Sequence, residues 1–325
     1  MVQLSVVVLT RNEEANLADA LDSLLGQEGV DLEVLVVDSA STDATLEIAR
    51  RYEARDPRVR VLAEAHDIPI GEARNLGIEA AAGAIVAQMS ADAMAAPGWA
   101  AALVAALEDA DVVFGRQEHA PPRLTPAAIV RGLRYHHFRS DRKAAPETFA
   151  SNVNAAMRRD VLDALRFVEE GPASALDDIL FTHEAKAMGF RIGYEPRMLV
   201  RHKDATTLRG EWRKNRREGF GWAILSPRLG LHKTVLAWAG ALLVGLVAFA
   251  VWPSLPLALL WLAVLYAPAL RRALRGGGPY LRRAPLALAA AVLASPAFDF
   301  VFAYHYALGL LQRRRDLTGA LRLPE

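Results

Sequence analysis

The apolar residues of the first half of the chain fall in short, mostly β-branched runs, each stopping abruptly at polar residues. Leu4 to Leu9 runs into Thr10-Arg11-Asn12-Glu13. Val34 to Val37 runs into Asp38-Ser39-Ala40-Ser41-Thr42-Asp43. Ile85 to Met89 runs into Ser90-Ala91-Asp92. Continuous runs of this kind predict strands buried on both faces of a parallel sheet. Between them apolar residues recur at helical spacing. This predicts helices over 13–28 (Leu17, Leu21, Leu24, Leu25; capped by Thr10 or Asn12), 42–54 (capped by Ser41 or Thr42), 71–82 (ended by Gly83) and 99–108. Further strands are predicted at 60–62 and 111–115. Strand alternating with helix means a doubly wound parallel sheet. Ligands of such sheets sit beyond the carboxyl ends of the strands, so Thr10, Asp38 and Asp92 are expected to face one crevice.

Further along, the pattern changes. Region 116–150 is rich in Arg, His and Pro and gives no clear element. Helices are predicted over 155–165 and 175–188, short strands at 192–194 and 198–200, and a basic amphipathic helix over 208–222, with Trp212, Phe220 and Trp222 set against Arg209, Arg213, Lys214, Arg216 and Arg217. From Thr234 to Leu270 there is no charged residue, and from Ala284 to Leu311 the only acid is Asp299. These stretches predict membrane spans at about 234–252, 254–270 and 285–311. Pro296 and Asp299 suggest that the third bends or lies partly in the interface.

Composition sharpens this division. The chain has 325 residues, 53% of them hydrophobic, and a net charge of +1. Residues 1–233 hold 29 Lys/Arg and 34 Asp/Glu, whereas the remainder holds 9 Arg and 3 acids. Apolar segments separated by arginines are the pattern of a membrane region with its basic loops on the cytoplasmic side. There is no cysteine, which excludes disulfides and thiolate-ligated zinc. The N-terminus enters a strand without a signal core, so the front half is expected in the cytoplasm. The expected division is an α/β domain over 1–222 and a membrane domain over 223–325, at the inner membrane. Asp299 and His305 within an apolar stretch read either as functional groups or as a mark of the interface.

Six motifs stand in a fixed order: Ser-Val-Val-Val-Leu-Thr-Arg-Asn-Glu-Glu (5–14), Val-Asp-Ser-Ala-Ser-Thr-Asp (37–43), Gly-Glu-Ala-Arg-Asn-Leu-Gly (71–77), Ser-Ala-Asp (90–92), Asn-Ala-Ala-Met-Arg-Arg (154–159) and Asp-Asp (177–178). Over residues 3–222 this order resembles family 2 glycosyltransferases of the GT-A fold, a Rossmann-like, mostly parallel sheet with helices on both faces. With Tyr304-His305-Tyr306-Ala307-Leu308-Gly309, the apolar tail resembles membrane-bound members that build exopolysaccharide, such as the succinoglycan-type enzymes.

The resemblance implies a metal-dependent hexosyltransferase that moves a sugar, with inversion, from a nucleoside diphosphate donor, a UDP-sugar, to a membrane-associated, lipid-linked saccharide acceptor. Polyprenyl phosphate as acceptor, or a non-catalytic membrane scaffold, are the alternatives. Membrane lipids are expected partners and nucleic acid is not. It implies donor binding by Thr10, Asp38, Arg74, Ser90 and Asp92, and Mg²⁺ or Mn²⁺ held by Asp92 and His202, an oxygen-rich setting suited to these ions. Ser90 replaces the first acid of the family's usual Asp-x-Asp. Asp178 is implied as the general base, and Asp177, Asn154, Arg213 and Arg217 as acceptor or diphosphate contacts. Read without the resemblance, Asp92 is a capping carboxylate, Asp177-Asp178 a helix N-terminus, His202 a surface imidazole and the arginines a solvated face.

Overall fold

The structure, a computed structural model, describes residues 3–121, 123–134, 151–169, 176–203, 207–229 and 233–316. Its strands are β1 (Leu4–Thr10), β2 (Leu32–Ser39), β3 (Val59–Glu64), β4 (Ile85–Ser90), β5 (Ala93–Ala95), β6 (Val112–His119), β7 (Asn154–Arg158) and β8 (Ile192–His202). Its helices are α1 (Leu17–Leu25), α2 (Thr45–Arg55), α3 (Ile70–Ala80), α4 (Trp99–Ala106), α5 (Pro126–Arg134), α6 (Arg159–Ala164), α7 (Asp177–Ala187), α8 (Leu208–Leu229), α9 (Lys233–Val251), α10 (Leu255–Gly276), α11 (Gly278–Arg283) and α12 (Pro285–Asp316). The chain divides into two compact units, residues 1–120 with 137–204, and residues 121–136 with 205–325. The expected boundary after residue 222 falls inside α8.

In the first unit the described strands form one sheet in the order β3-β2-β1-β4-β7-β6-β8-β5. The β3-β2-β1-β4 part is parallel throughout, as the buried runs predict. Val6, Val8, Val34 and Val36 point to one face, with α1, α2 and α4 over them through Leu17, Leu21, Ile48, Trp99 and Leu103. Val7, Leu35 and Val37 point to the other, covered by α3, α6 and α7 through Ile78, Val161 and Phe181. Gly77 of α3 is what lets that helix lie so close: a Cβ there would come within 2.4 Å of Val7 Cγ1.

The sheet becomes mixed beyond β4. β7 runs antiparallel to β4 and β6, while β6 and β8 are parallel and β5 is antiparallel to β8. The helix expected over 155–165 is therefore a strand through Arg158 followed by the short α6. Ala155, Ala156 and Met157 favour helix locally, but they are small or flexible enough to sit fully buried between β4 and β6, and that packing overrides propensity. The two short strands expected near 192 and 198 are one strand, β8, with a register shift opposite Gly115 and Arg116. Helix α5 occupies part of the region that gave no element; residues 135–150 lie outside the described residues. Helix α1 begins at Leu17 with no side-chain cap, since Asn12 is used elsewhere.

The second unit is helical. α8 and α12 pack through Ala223, Phe302 and Tyr306, and α5 packs with α11 and α12 through Ile129, Leu133, Tyr280 and Phe298. At Gly219 a Cβ would lie 2.3 Å from Phe302 O, so α8 and α12 approach at backbone contact. Among the described residues two helices are long and apolar enough to cross a membrane, Leu255–Gly276 and Pro285–Leu310, and a shorter apolar helix covers Val235–Val251. Pro296 leaves α12 unbroken.

Candidate functional site

The register of the parallel strands aligns the expected site. Thr10 stands opposite Asp38 across β1 and β2, and Leu9 opposite Ser90 across β1 and β4. The loops after β1 and β2 are clasped together. Asn12 Oδ1 accepts from Thr42 N at 2.8 Å, Asn12 N donates to Ser41 Oγ at 2.9 Å, and Glu13 N donates to Thr45 Oγ1 at 2.7 Å. Asn12 and Ala40 both take positive φ, 55° and 51°. For alanine this is a strained conformation, of the kind that persists where surrounding contacts over-determine it. Asp43 fastens the clasp. Burial pulls its pKa up, but hydrogen bonds from the Thr45 hydroxyl and amide and the Glu14 amide outweigh this and hold it below the ordinary value.

Within this rim Asp38 is buried and accepts from Ser41 Oγ at 2.5 Å and Ser41 N at 3.0 Å. Each carboxylate oxygen has a second lone pair to offer. Thr10 is 5% exposed, and its hydroxyl has no hydrogen-bond partner among the described residues. A buried hydroxyl left unpaired is costly unless something else fills it.

The pairing of β5 with β8 sets Ala93 opposite His202, and this brings Asp92 and His202 together. His202 Nε2 lies 2.9 Å from Asp92 Oδ1, both side chains about one-sixth exposed. Glu13 belongs to the same neighbourhood. Burial raises its pKa, the Asn16 side-chain bond opposes this, the negative charge of Asp92 adds to the rise and His202 lowers it. Among the described residues no group of three or more His, Asp or Glu side chains forms a metal cage. One carboxylate and one imidazole nevertheless fit Mg²⁺ or Mn²⁺, which keep several positions for water and substrate phosphate oxygens.

Arg74 and Asp177, far apart in sequence, form a buried ion pair, Nε to Oδ2 2.7 Å, with about 8% and 7% of the side chains exposed. Arg74 also donates to Gln88 Oε1 at 3.4 Å and lies over the Phe167 ring. Asp177 is thus turned into the fold, and its Oδ1 accepts from the amide of Asp178. Asp178, half-buried at the N-terminus of α7, accepts from Ile179 N at 2.9 Å. Asn154 is fully buried. It donates to Arg116 O and Met198 O and accepts from Trp99 Nε1, so its amide braces β6, β7 and β8 internally. Arg213 and Arg217 lie on the exposed face of α8, in the second unit. In that unit Asp299 accepts from Arg272 Nη2 at 2.5 Å, and His305 Nδ1 bonds to Val301 O within α12.

The structure therefore gathers Thr10, Asp38, Ser90, Asp92 and His202 along one edge, and joins Arg74 to Asp177. Sequence reasoning missed Glu13, whose place beside Asp92 no spacing rule reveals, and Gln88, which sits inside a run read only as strand.

Residues 5–166 match the family described as Glycosyl transferase family 2. Glycosyltransferase AglE of Haloferax volcanii is 30% identical over 163 residues, covering 49% of this chain and 53% of that protein. The succinoglycan biosynthesis protein ExoO of Rhizobium meliloti is 42% identical over 86 residues, covering 26% of this chain and 24% of that protein. The chain spans about half or less of the curated relatives it matches. Among solved structures, the mannosyltransferase PcManGT of Pyrobaculum calidifontis, in complex with GDP-Man and Mn²⁺, is 22% identical with a TM-score of 0.62 over 94% of this chain and 87% of that one. S. aureus TarS 1–349, in complex with UDP-GlcNAc, is 19% identical with a TM-score of 0.51 over 96% of this chain and 92% of that one.

Proposed function

Because residues 5–166 belong to glycosyl transferase family 2 and fold as a GT-A α/β domain, we propose that this chain is an inverting glycosyltransferase. It takes a sugar from a nucleoside diphosphate donor, a UDP-sugar, and gives it to a membrane-associated, lipid-linked saccharide. The observation that carries this reading is the pairing of Asp92 with His202 beyond the end of β4, on the edge where Thr10 and Asp38 also lie.

In this reading Asp38 and the unpaired Thr10 hydroxyl bind the base and ribose. Asp92 and His202 would hold a divalent cation, which when bound neutralises charge on the departing diphosphate. Asp178 takes the proton of the attacking acceptor hydroxyl, while the Arg74–Asp177 pair fixes the start of α7 and so aims Asp178. A base in this role contributes about 10²–10⁴ in rate. If polyprenyl phosphate were the acceptor, already an anion, Asp178 would be dispensable.

Membrane attachment rests on the second unit. α9 and α10 expose Leu243, Val244, Val247, Val251, Leu259 and Leu260, an apolar surface that water does not favour. We assign the crossings to these two helices, with the α/β unit, and the arginines at and after the end of α10, on the cytoplasmic side of the membrane.

Titration calorimetry of UDP against the purified full chain, with and without Mn²⁺, tests the donor site. Binding strengthened by Mn²⁺ in the parent but not in Asp92→Asn is expected. Absence of nucleotide binding would favour the scaffold reading.

A further inference from the structure

Two asparagines lie two positions apart at the entrance to β7, and the fold treats them differently. Asn154 has its amide filled by three partners. Asn152 is 3% exposed, yet neither its Oδ1 nor its Nδ2 has a hydrogen-bond partner among the described residues. A buried amide unpaired at both ends costs about 1–3 kcal/mol per group. An alanine or leucine there would fold more easily, so stability does not account for it.

Its position suggests what does. β7 is antiparallel to β4 with Met89 opposite Asn154, so the residues before Asn154 run past those that follow Met89, namely Ser90, Ala91 and Asp92. A turn closed by Asn154 N donating to Ser151 O at 3.1 Å holds Asn152 at that end of the sheet. In the order β2-β1-β4-β7, Asp38 and Thr10 lie to one side of β4 and Asn152 to the other. Two strand spacings, about 10 Å, separate β7 from the β1 edge. A donor with its nucleoside at β1 and β2 and its diphosphate beside Asp92 extends its sugar towards β7.

We propose that Asn152 reads the hydroxyl groups of the transferred sugar. The inference rests on the donor-site reading above and deepens it. An uncharged amide offers one acceptor and one two-proton donor, which matches neighbouring hydroxyls of a neutral hexose and not a phosphate. A site built to bond a substrate hydroxyl discriminates strongly against analogues that lack it, because its own polar groups are then left unpaired.

The test compares the parent full chain with Asn152→Leu, and with Asn152→Ser in case the larger change does not fold. UDP and GDP serve as sugar-free probes, and UDP-glucose, UDP-galactose, UDP-N-acetylglucosamine and GDP-mannose as sugar-bearing ones, all with Mn²⁺. The expected result has three parts. Asn152→Leu melts at a higher temperature than the parent without ligand. Both variants bind the sugar-free nucleotide within about twofold of the parent. Both lose about tenfold or more in affinity for the nucleotide sugar the parent prefers, the loss of roughly one good hydrogen bond. Unchanged nucleotide-sugar affinity with nucleotide binding intact would overturn the role of Asn152 and leave the donor site standing. A parent that binds none of the six probes would overturn the donor-site reading, and this inference with it.

Discussion

At the scale of single residues, the site sets a buried, unpartnered Thr10 hydroxyl among carboxylates held by the fold. Asp178→Asn keeps the shape of the side chain and removes its charge. It is expected to lower turnover by about 10²–10⁴ with nucleotide affinity unchanged, measured by steady-state kinetics beside calorimetry; lost nucleotide binding would move Asp178 to the donor site. Glu13 gives a prediction in pH. Burial raises its pKa above the ordinary 4.5, so the folded protein holds that proton more tightly than the unfolded chain. Ionising Glu13 therefore costs stability, and the penalty grows as pH rises above 4.5. Glu13→Gln is expected to melt higher than the parent at neutral pH and to lose that advantage as pH falls below the ordinary value, by scanning calorimetry. An advantage independent of pH would show that packing and not charge is responsible. Thr10, Asp38 and Asp92 were legible in sequence because polar residues that end the apolar runs of parallel strands, or follow them closely, lie at one edge of the sheet, whereas His202 came from the family resemblance. The Arg74–Asp177 pair was not legible, since only the packing of α7 against α3 and β4 brings those residues together.

At the scale of elements, the parallel half of the sheet was readable and the antiparallel half was not. β1, β2 and β4 are buried on both faces and so carry continuous apolar runs. β7 lies between two strands with alanines at its centre, and small residues leave no period to distinguish strand from helix. In the helical unit, the puzzle of an aspartate within an apolar stretch is resolved by Arg272, whose side chain is 20% exposed against 10% for Asp299. Removing one partner of a buried pair leaves an uncompensated charge, at a cost of about 3–5 kcal/mol. Arg272→Met is therefore expected to lower the melting temperature in detergent sharply, and the double variant with Asp299→Leu to recover most of the loss. A double variant as unstable as the single one would mean that the pair does not act as a unit.

At the scale of the whole molecule, apolar length alone makes α10 and α12 the two spans, but their contacts argue otherwise. Trp238 Nε1 bonds to Val264 O and Trp261 Nε1 to Leu242 O, so positions rise along α9 as they fall along α10, the signature of an antiparallel hairpin. Between α10 and α12, Tyr266 meets Leu293 O and Arg272 meets Asp299, both at a separation of 27 residues. Successive spans joined by a short link run antiparallel and cannot keep a constant separation, so α12 does not return along α10 as a hairpin partner would. At 1.5 Å per residue, Asp299 lies about 21 Å into α12, yet its partner is only about 6 Å from the end of α10. We therefore expect α9 and α10 to cross and α12 to lie along the cytoplasmic interface. A reporter fused after Glu325 should show cytoplasmic activity, and strong periplasmic phosphatase activity would contradict this. The most direct test of the central claim is the anomeric configuration of the product. Purified full chain with Mn²⁺, α-linked UDP-sugars and a membrane lipid extract should yield a β-linked glycoside by proton NMR, and Asp92→Asn should yield none. An α-linked product, or transfer undiminished in Asp92→Asn, would contradict inverting transfer at this site.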